Sequence, residues 1–170
     1  MKSSNIKKQN NFLTNRVVGS DQGDADAQFN LSLMYKNGRG VTHDYKEAVK
    51  WYRLSADQGN ASAQNNLGVA YEQGQGVTQD YKEALKWYRL SADQGDPLAQ
   101  SNLGVSYVTG QGVTQDYVRA HMWFNIAASS GNTLAESNRD KVAKQMTPTQ
   151  IEKAQEMARL CMKTNYKNCD

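Results

Sequence analysis

Apolar positions along this chain fall three and four residues apart, the spacing of one buried stripe on a helix. From Asn60 to Gln73 the stripe runs through Ala63, Leu67, Gly68 or Ala70, and Tyr71, with Asn60 suited to an N-cap and Gly74 to a left-handed helix end. This is helix A. From Asp80 the string Asp80-Tyr81-Lys82-Glu83 offers an acidic cap with a glutamate at the third helical position, and Ala84, Trp87, Tyr88, Ser91 and Ala92 carry a second stripe to Gly95. This is helix B. The intervening GQGVTQD is short and polar except for Val77, which predicts two antiparallel helices with Val77 tucked under the turn.

The same pattern occurs once before and once after. Trp51, Trp87 and Trp123 stand 36 residues apart, as do Tyr35, Tyr71 and Tyr107, Gly40, Gly76 and Gly112, and Ala56, Ala92 and Ala128. A fixed period of this size marks stacked supersecondary units, none of which buries its apolar face without a neighbour. The units run over residues 21–56, 57–92 and 93–128. Residues 129–164 start a fourth, degenerate unit in which Gly131, Ala135 and Asn138 keep register while Arg139 replaces the core leucine and Asp140 the glycine. That unit ends in a capping helix: Thr147-Pro148-Thr149-Gln150 is a helix start, and Ile151, Ala154, Ala158 and Cys161 form one stripe. Residues 165–170 form a tail. Residues 1–20 match no helix B and are expected to be a poorly ordered N-terminal arm or a poor cap.

Gln64-x2-Leu67-Gly68-x2-Tyr71 followed by Ala84-x3-Tyr88 resembles the tetratricopeptide pattern. The period of 36 and the GxGVTxD loop are similar, almost letter for letter over residues 21–131, to the Sel1-like repeat. The MTPxQIxxAQ string at Met146 is also similar to the C-terminal ends of many bacterial Sel1-like proteins. The resemblance implies an all-α fold: an α/α solenoid of Sel1-like, tetratricopeptide-like helix pairs with a C-terminal capping helix.

Laid over one another, the repeats supply their own comparison. Positions held in every unit, such as Leu31, Leu67 and Leu103 or Ala48, Ala84 and Ala120, read as packing. The helix A positions that change are Asp26, Ser62 and Leu98; Phe29, Asn65 and Ser101; Lys36, Glu72 and Val108; and Asn37, Gln73 and Thr109. They share one helix face with Leu33, Val69 and Val105. By resemblance this is the concave surface where extended peptides lie. Phe29, Leu33, Asn65, Val69, Ser101, Val105 and Val108 are therefore expected to line a binding strip, with Lys36 and Glu72 at its edge; the alternative is that these are unconstrained solvent positions. Asn65 and Ser101 would offer hydrogen bonds to a peptide backbone over an apolar floor.

Composition adds little to this. With 38% apolar residues, two prolines and a net charge of +3, the chain fits a helical soluble protein and gives no argument for nucleic acid. No apolar run approaches the roughly 20 residues of a membrane span, and the first twenty lack the contiguous apolar core of a signal peptide. The expectation is a cytoplasmic monomer with a protein or peptide partner and no cofactor. His43 and His121 look incidental, so no catalytic or metal residue is assigned. The GRG and GQG triplets follow no strand and precede no Lys-Ser/Thr, which fits helix ends rather than phosphate loops.

Cys161 and Cys169 are close enough in sequence for the tail to fold back into a disulfide; reduced thiols and a metal site remain alternatives. A disulfide would move the expected location to a periplasm or outside the cell. The function expected from the resemblance is a non-catalytic interaction adaptor that binds a peptide segment or partner helix in the groove. The alternative is a β-lactamase-like or cell-wall-related enzyme or enzyme regulator. Some Sel1-like proteins with a cysteine pair in every repeat have been linked to β-lactam binding, and this chain has no such pairs.

Two further expectations concern packing. Leu67 and Tyr71 should be buried. In repeat three Lys46 and Lys82 become Val118, and Lys50 and Lys86 become Met122, an apolar patch that the capping helix should cover.

Overall fold

The structure, a computed structural model, describes residues 20, 23–167 and 169. Among them the chain is helical throughout: α1 (Ala25–Asn37), α2 (Tyr45–Asp57), α3 (Ala61–Gln73), α4 (Tyr81–Ala92), α5 (Pro97–Thr109), α6 (Tyr117–Ser129), α7 (Thr133–Ala143) and α8 (Pro148–Lys163). The expected N-terminal arm, residues 1–20, lies outside the described residues except for Ser20.

Helix boundaries follow the repeated caps. Asp24, Asn60, Asp96 and Asn132 begin the A helices α1, α3, α5 and α7, each side chain accepting from a backbone N–H that the first turn would leave unpaired. Asp44, Asp80 and Asp116 begin the B helices α2, α4 and α6, each accepting from two such groups. The first three A helices end on Gly38, Gly74 and Gly110 in the left-handed conformation. The B helices stop earlier than their stripe suggests: α4 ends at Ala92, and Gly95 sits beyond it in a separate turn at φ 87°.

The second glycine of each G-x-G has a packing reason. A Cβ on Gly76 would stand 2.1 Å from the Tyr45 carbonyl oxygen, and one on Gly112 would stand 2.3 Å from that of Tyr81. The turn thus rests directly on the first residue of the preceding B helix, which only glycine permits. Val41, Val77 and Val113 beside these turns are half-buried, less enclosed than the pattern suggests.

The chain divides into two compact units, residues 1–79 and 80–170. In the first, α2 packs on both α1 and α3; in the second, α5 packs on α4 and α6, and α6 also carries α7 and α8. The core is formed by the repeated leucines and alanines: Leu31, Leu67, Leu103, Ala48, Ala84 and Ala120 are all at most 2% exposed. Leu67 and Tyr71 are buried, as the stripe requires. The Tyr71 hydroxyl accepts from Arg53, and one repeat later Tyr107 accepts from Arg89 at 2.9 Å. Each bond ties a B helix to the next A helix. Trp87 and Trp123 are buried, whereas Trp51 is half-buried. The fold class is all-α, built of repeated α/α helix pairs with a C-terminal capping helix.

The fourth unit keeps helix A and loses helix B. Arg139, at the leucine position of α7, is half-buried and pairs with Asp140 at 2.9 Å. The chain then turns into α8, whose Thr147 and Gln150 form a reciprocal capping box with Pro148 in the first turn. Ala154, Ala158 and Cys161 are buried, Ile151 only half-buried, and Met122 beneath is fully buried. Of the apolar patch of repeat three, Met122 is therefore enclosed while Val118 stays half-buried, and α8 packs on the helix that carries both.

Candidate functional site

In the unit of residues 1–79, the outward faces of α1 and α3 carry Leu33, Lys36, Val69 and Glu72, all half-buried. Lys36 and Val69 meet at a cleft that is also lined by Tyr52, Asn66 and Ala70 and closed by Tyr45 and Gln75, with room of only about 10 Å³. Burial pushes the Tyr52 phenol up to about 12. The nearby Ser32 hydroxyl pulls the other way without overcoming burial. Tyr52 is thus a neutral wall of the cleft. Phe29 is tilted against the Tyr52 ring at 6.1 Å between centroids, which places it on the flank facing α2.

In the unit of residues 80–170, Val105 and Val108 of α5 meet Phe124 of α6 and Asn138, Lys141 and Val142 of α7 around an open cavity of about 170 Å³. This is the same cleft two repeats on. Lys36, Tyr52, Asn66, Val69 and Ala70 occupy the repeat positions of Val108, Phe124, Asn138, Lys141 and Val142. Three changes separate the two clefts, the first being that Val108 stands where the first cleft has the longer Lys36. Phenylalanine lacks the tyrosine hydroxyl, and α7 is followed by α8 rather than by the G-x-G turn that brings Gln75 over the first cleft. Phe124 lies so close to α5 that a Cβ on Gly104 would stand 2.6 Å from its ring, so the glycine sets the depth of this wall.

The structure brings Lys36 together with Val69, and Val105 with Val108. It does not place Asn65 and Ser101 as donors on the strip: both are 6% exposed. Ser101 lies one turn before Gly104, on the flank of α5 that faces Phe124, as Phe29 lies on the flank of α1 that faces Tyr52. The positions that do stand half-exposed are one residue further on: Asn30, Asn66, Asn102 and Asn138. These four asparagines recur at the 36-residue period, and the repeat signal for them is plain. Reasoning from the sequence passed over them because every held position was assigned to packing. Lys141 was passed over because the comparison used only the three clear repeats.

Cys161 and Cys169 are joined by a disulfide with Cα atoms 4.9 Å apart, and neither is among the residues lining either cleft. Among the described residues no three His, Cys, Asp or Glu side chains gather as metal ligands, and no helix is long and apolar enough to cross a membrane.

The Sel1 repeat pattern matches residues 25–60, 61–96 and 97–132. This chain belongs to the Sel1 repeat family. The family's units begin with the A helices, four residues after the register chosen from the sequence. Two solved structures are similar to this Sel1 repeat chain. One is c5321, a protective antigen of uropathogenic Escherichia coli strains displaying an SLR fold: TM-score 0.71, 29% identity, 91% of this chain and 41% of that one covered. This chain thus spans about two-fifths of that protein's length. The other is the Sel1 repeat protein from Oxalobacter formigenes: TM-score 0.69, 39% identity, 76% of this chain and 97% of that one. No curated protein matches. Sel1 repeats generally mediate protein–protein interaction, and their fold is generally a non-catalytic scaffold.

Proposed function

We propose that this Sel1 repeat chain is a non-catalytic adaptor that takes up a peptide segment or a partner helix on the outward faces of the A helices within each of its two units. The reading rests on one observation: an asparagine recurs in all four A helices at a position that the fold leaves half-exposed. A core position would be buried, and an unselected surface position would vary as its neighbours do. The Asn66 amide nitrogen already donates one hydrogen to the Ser62 carbonyl at 2.8 Å; its second N–H and its amide oxygen offer a donor and an acceptor together, which matches the C=O and N–H of an extended backbone. Next to it Leu33, Val69 and Val105 give an apolar floor, and Lys36, Glu72 and Val108 change the charge from repeat to repeat. The amides would supply sequence-tolerant affinity and the varying residues would supply selectivity.

Affinity capture with the full-length chain, followed by titration of the captured partner against variants, tests the reading. Val69→Glu and Asn66→Ala should each weaken binding with unchanged helicity by circular dichroism. Lys46→Ala, on the exposed side of α2, should not. Retained affinity in both A-helix variants would move the site to another face.

A further inference from the structure

The cavity between α5, α6 and α7 has the size and lining of a subsite for one side chain. A closed apolar cavity of roughly 150 Å³ accommodates a benzene ring, whereas pockets for drug-sized ligands run from about 300 to 1,000 Å³. At about 170 Å³, the space bounded by Val105, Val108, Phe124 and Val142 suits a single leucine, methionine or phenylalanine side chain. Its polar lining is limited to Asn138 and Lys141. Lys141 is exposed and makes no ion pair among the described residues, while its neighbour Arg139 is occupied by Asp140 and Glu136. An ammonium at the rim of an apolar recess attracts a carboxylate more strongly than one in open water, because the low-dielectric wall reduces screening.

The repeat comparison shows how specific this arrangement is. At the equivalent cleft of residues 1–79, a lysine stands where Val108 stands, and a valine where Lys141 stands. The cation has changed sides, and the space it left has become apolar. We propose that the α5–α6–α7 cavity anchors a bulky apolar side chain of an extended acidic peptide, with Lys141 pairing to an Asp or Glu next to that anchor and the Asn138 amide holding the peptide backbone. The proposal rests on the A-helix reading and adds to it the class of sequence recognised.

Selection of a displayed random-peptide library on the full-length protein tests it, followed by affinity measurement of the selected peptides. Selected sequences should pair Leu, Met or Phe with an adjacent Asp or Glu. Val108→Trp, which fills the cavity, should weaken them by at least about tenfold, the loss typical of an anchoring residue. Lys141→Glu, at an exposed position and with helicity checked by circular dichroism, should weaken them similarly and should recover binding to peptides whose acid is replaced by Lys. A merely structural role for Lys141 would not produce that exchange. If selected peptides bind through Asn66 and Val69 but are indifferent to Val108→Trp and Lys141→Glu, the subsite is overturned and the A-helix reading stands. If peptides show the apolar anchor with no preference for an adjacent acid, the pairing with Lys141 is overturned. If no peptide is selected, or binding ignores variants at both clefts, both readings fall.

Discussion

His121 differs from its repeat equivalents in a way that has an energetic consequence. Val49 and Leu85 hold the same position in the first two repeats and are buried; His121 is buried as well, at 3% exposure, with its Nδ1 lacking a hydrogen-bond partner. Burial, helped by the positive charge of Arg139 and opposed by Asp140, holds the imidazole below its ordinary value of 6.5. The native state therefore keeps His121 neutral under conditions where the unfolded chain protonates it. Its contribution to stability is intact above pH 6.5 and is lost as the pH falls below that value. His121→Leu should flatten the loss of stability between about pH 7.5 and pH 5.5. It should also raise stability at neutral pH by roughly 1 kcal/mol, because an unpaired buried polar atom is removed. Urea melts of both proteins at the two pH values check this. From the sequence His121 looks incidental, and nothing there points to Arg139 beside it, because α7 approaches only in the folded unit. The site has a similar limit. Val108 was legible as a varying position, and Val69 and Val105 as sharing its helix face, whereas the difference between Asn65, buried, and Asn66, half-exposed, depends on how far α3 is rotated, which a pattern of letters does not fix.

At the scale of elements, α8 shows what an uncovered B helix needs. Leu54 and Leu90 are 48% and 41% exposed, while Ile126 at the same repeat position is fully buried, as is Met122 one turn before it. The small residues Ala154 and Ala158 face this surface and let α8 approach closely, and Ser129 Oγ lies 3.3 Å from Met162 Sδ. Beyond the helix the chain turns through Asn165 and Tyr166 with positive φ and is fastened by the Cys161–Cys169 bond. The Tyr166 ring lies over Gly95, where a Cβ would stand 2.9 Å from it, so the tail is also seated on the turn between α4 and α5. Truncation before Thr147 should lower the urea midpoint and cause self-association by sedimentation, since Met122 and Ile126 would face water. A full-length dimer that Met122→Lys converts to a stable monomer would contradict this account. Cys169→Ser should cost roughly 2 to 3 kcal/mol, the closure entropy of so short a loop, and added reductant should reproduce the loss in the parent but not in the variant. The capping helix was legible from its box and stripe. The disulfide was left open in the sequence because eight residues of spacing permit either redox state, and only the reversal of the chain after Lys163 brings the sulfurs together.

For the whole molecule, the 36-residue period made the fold legible, since one solution for a unit serves every unit. What it did not announce is the division at residues 79 and 80, within the loop of the middle repeat. Repeat stacks hold together through neighbours, so stability is approximately a sum of unit terms and nearest-neighbour terms, and local damage need not spread along the chain. Leu31, Leu67 and Leu103 offer a matched set for measuring this, being chemically identical and at most 2% exposed. Each change to alanine should cost about 2 to 5 kcal/mol. The distribution of the damage is the more informative quantity. In hydrogen exchange, Leu103→Ala should speed amides of α5, α6 and α7, while those of α1 and α2 keep their parental rates. Leu31→Ala should do the reverse. Both follow from α5 packing on α4 and α6, and α1 on α2, with the exchange-competent openings confined to the damaged unit. Equal acceleration of all eight described helices in either variant would mean that the chain opens as one block, and the division into two units would then have no energetic counterpart.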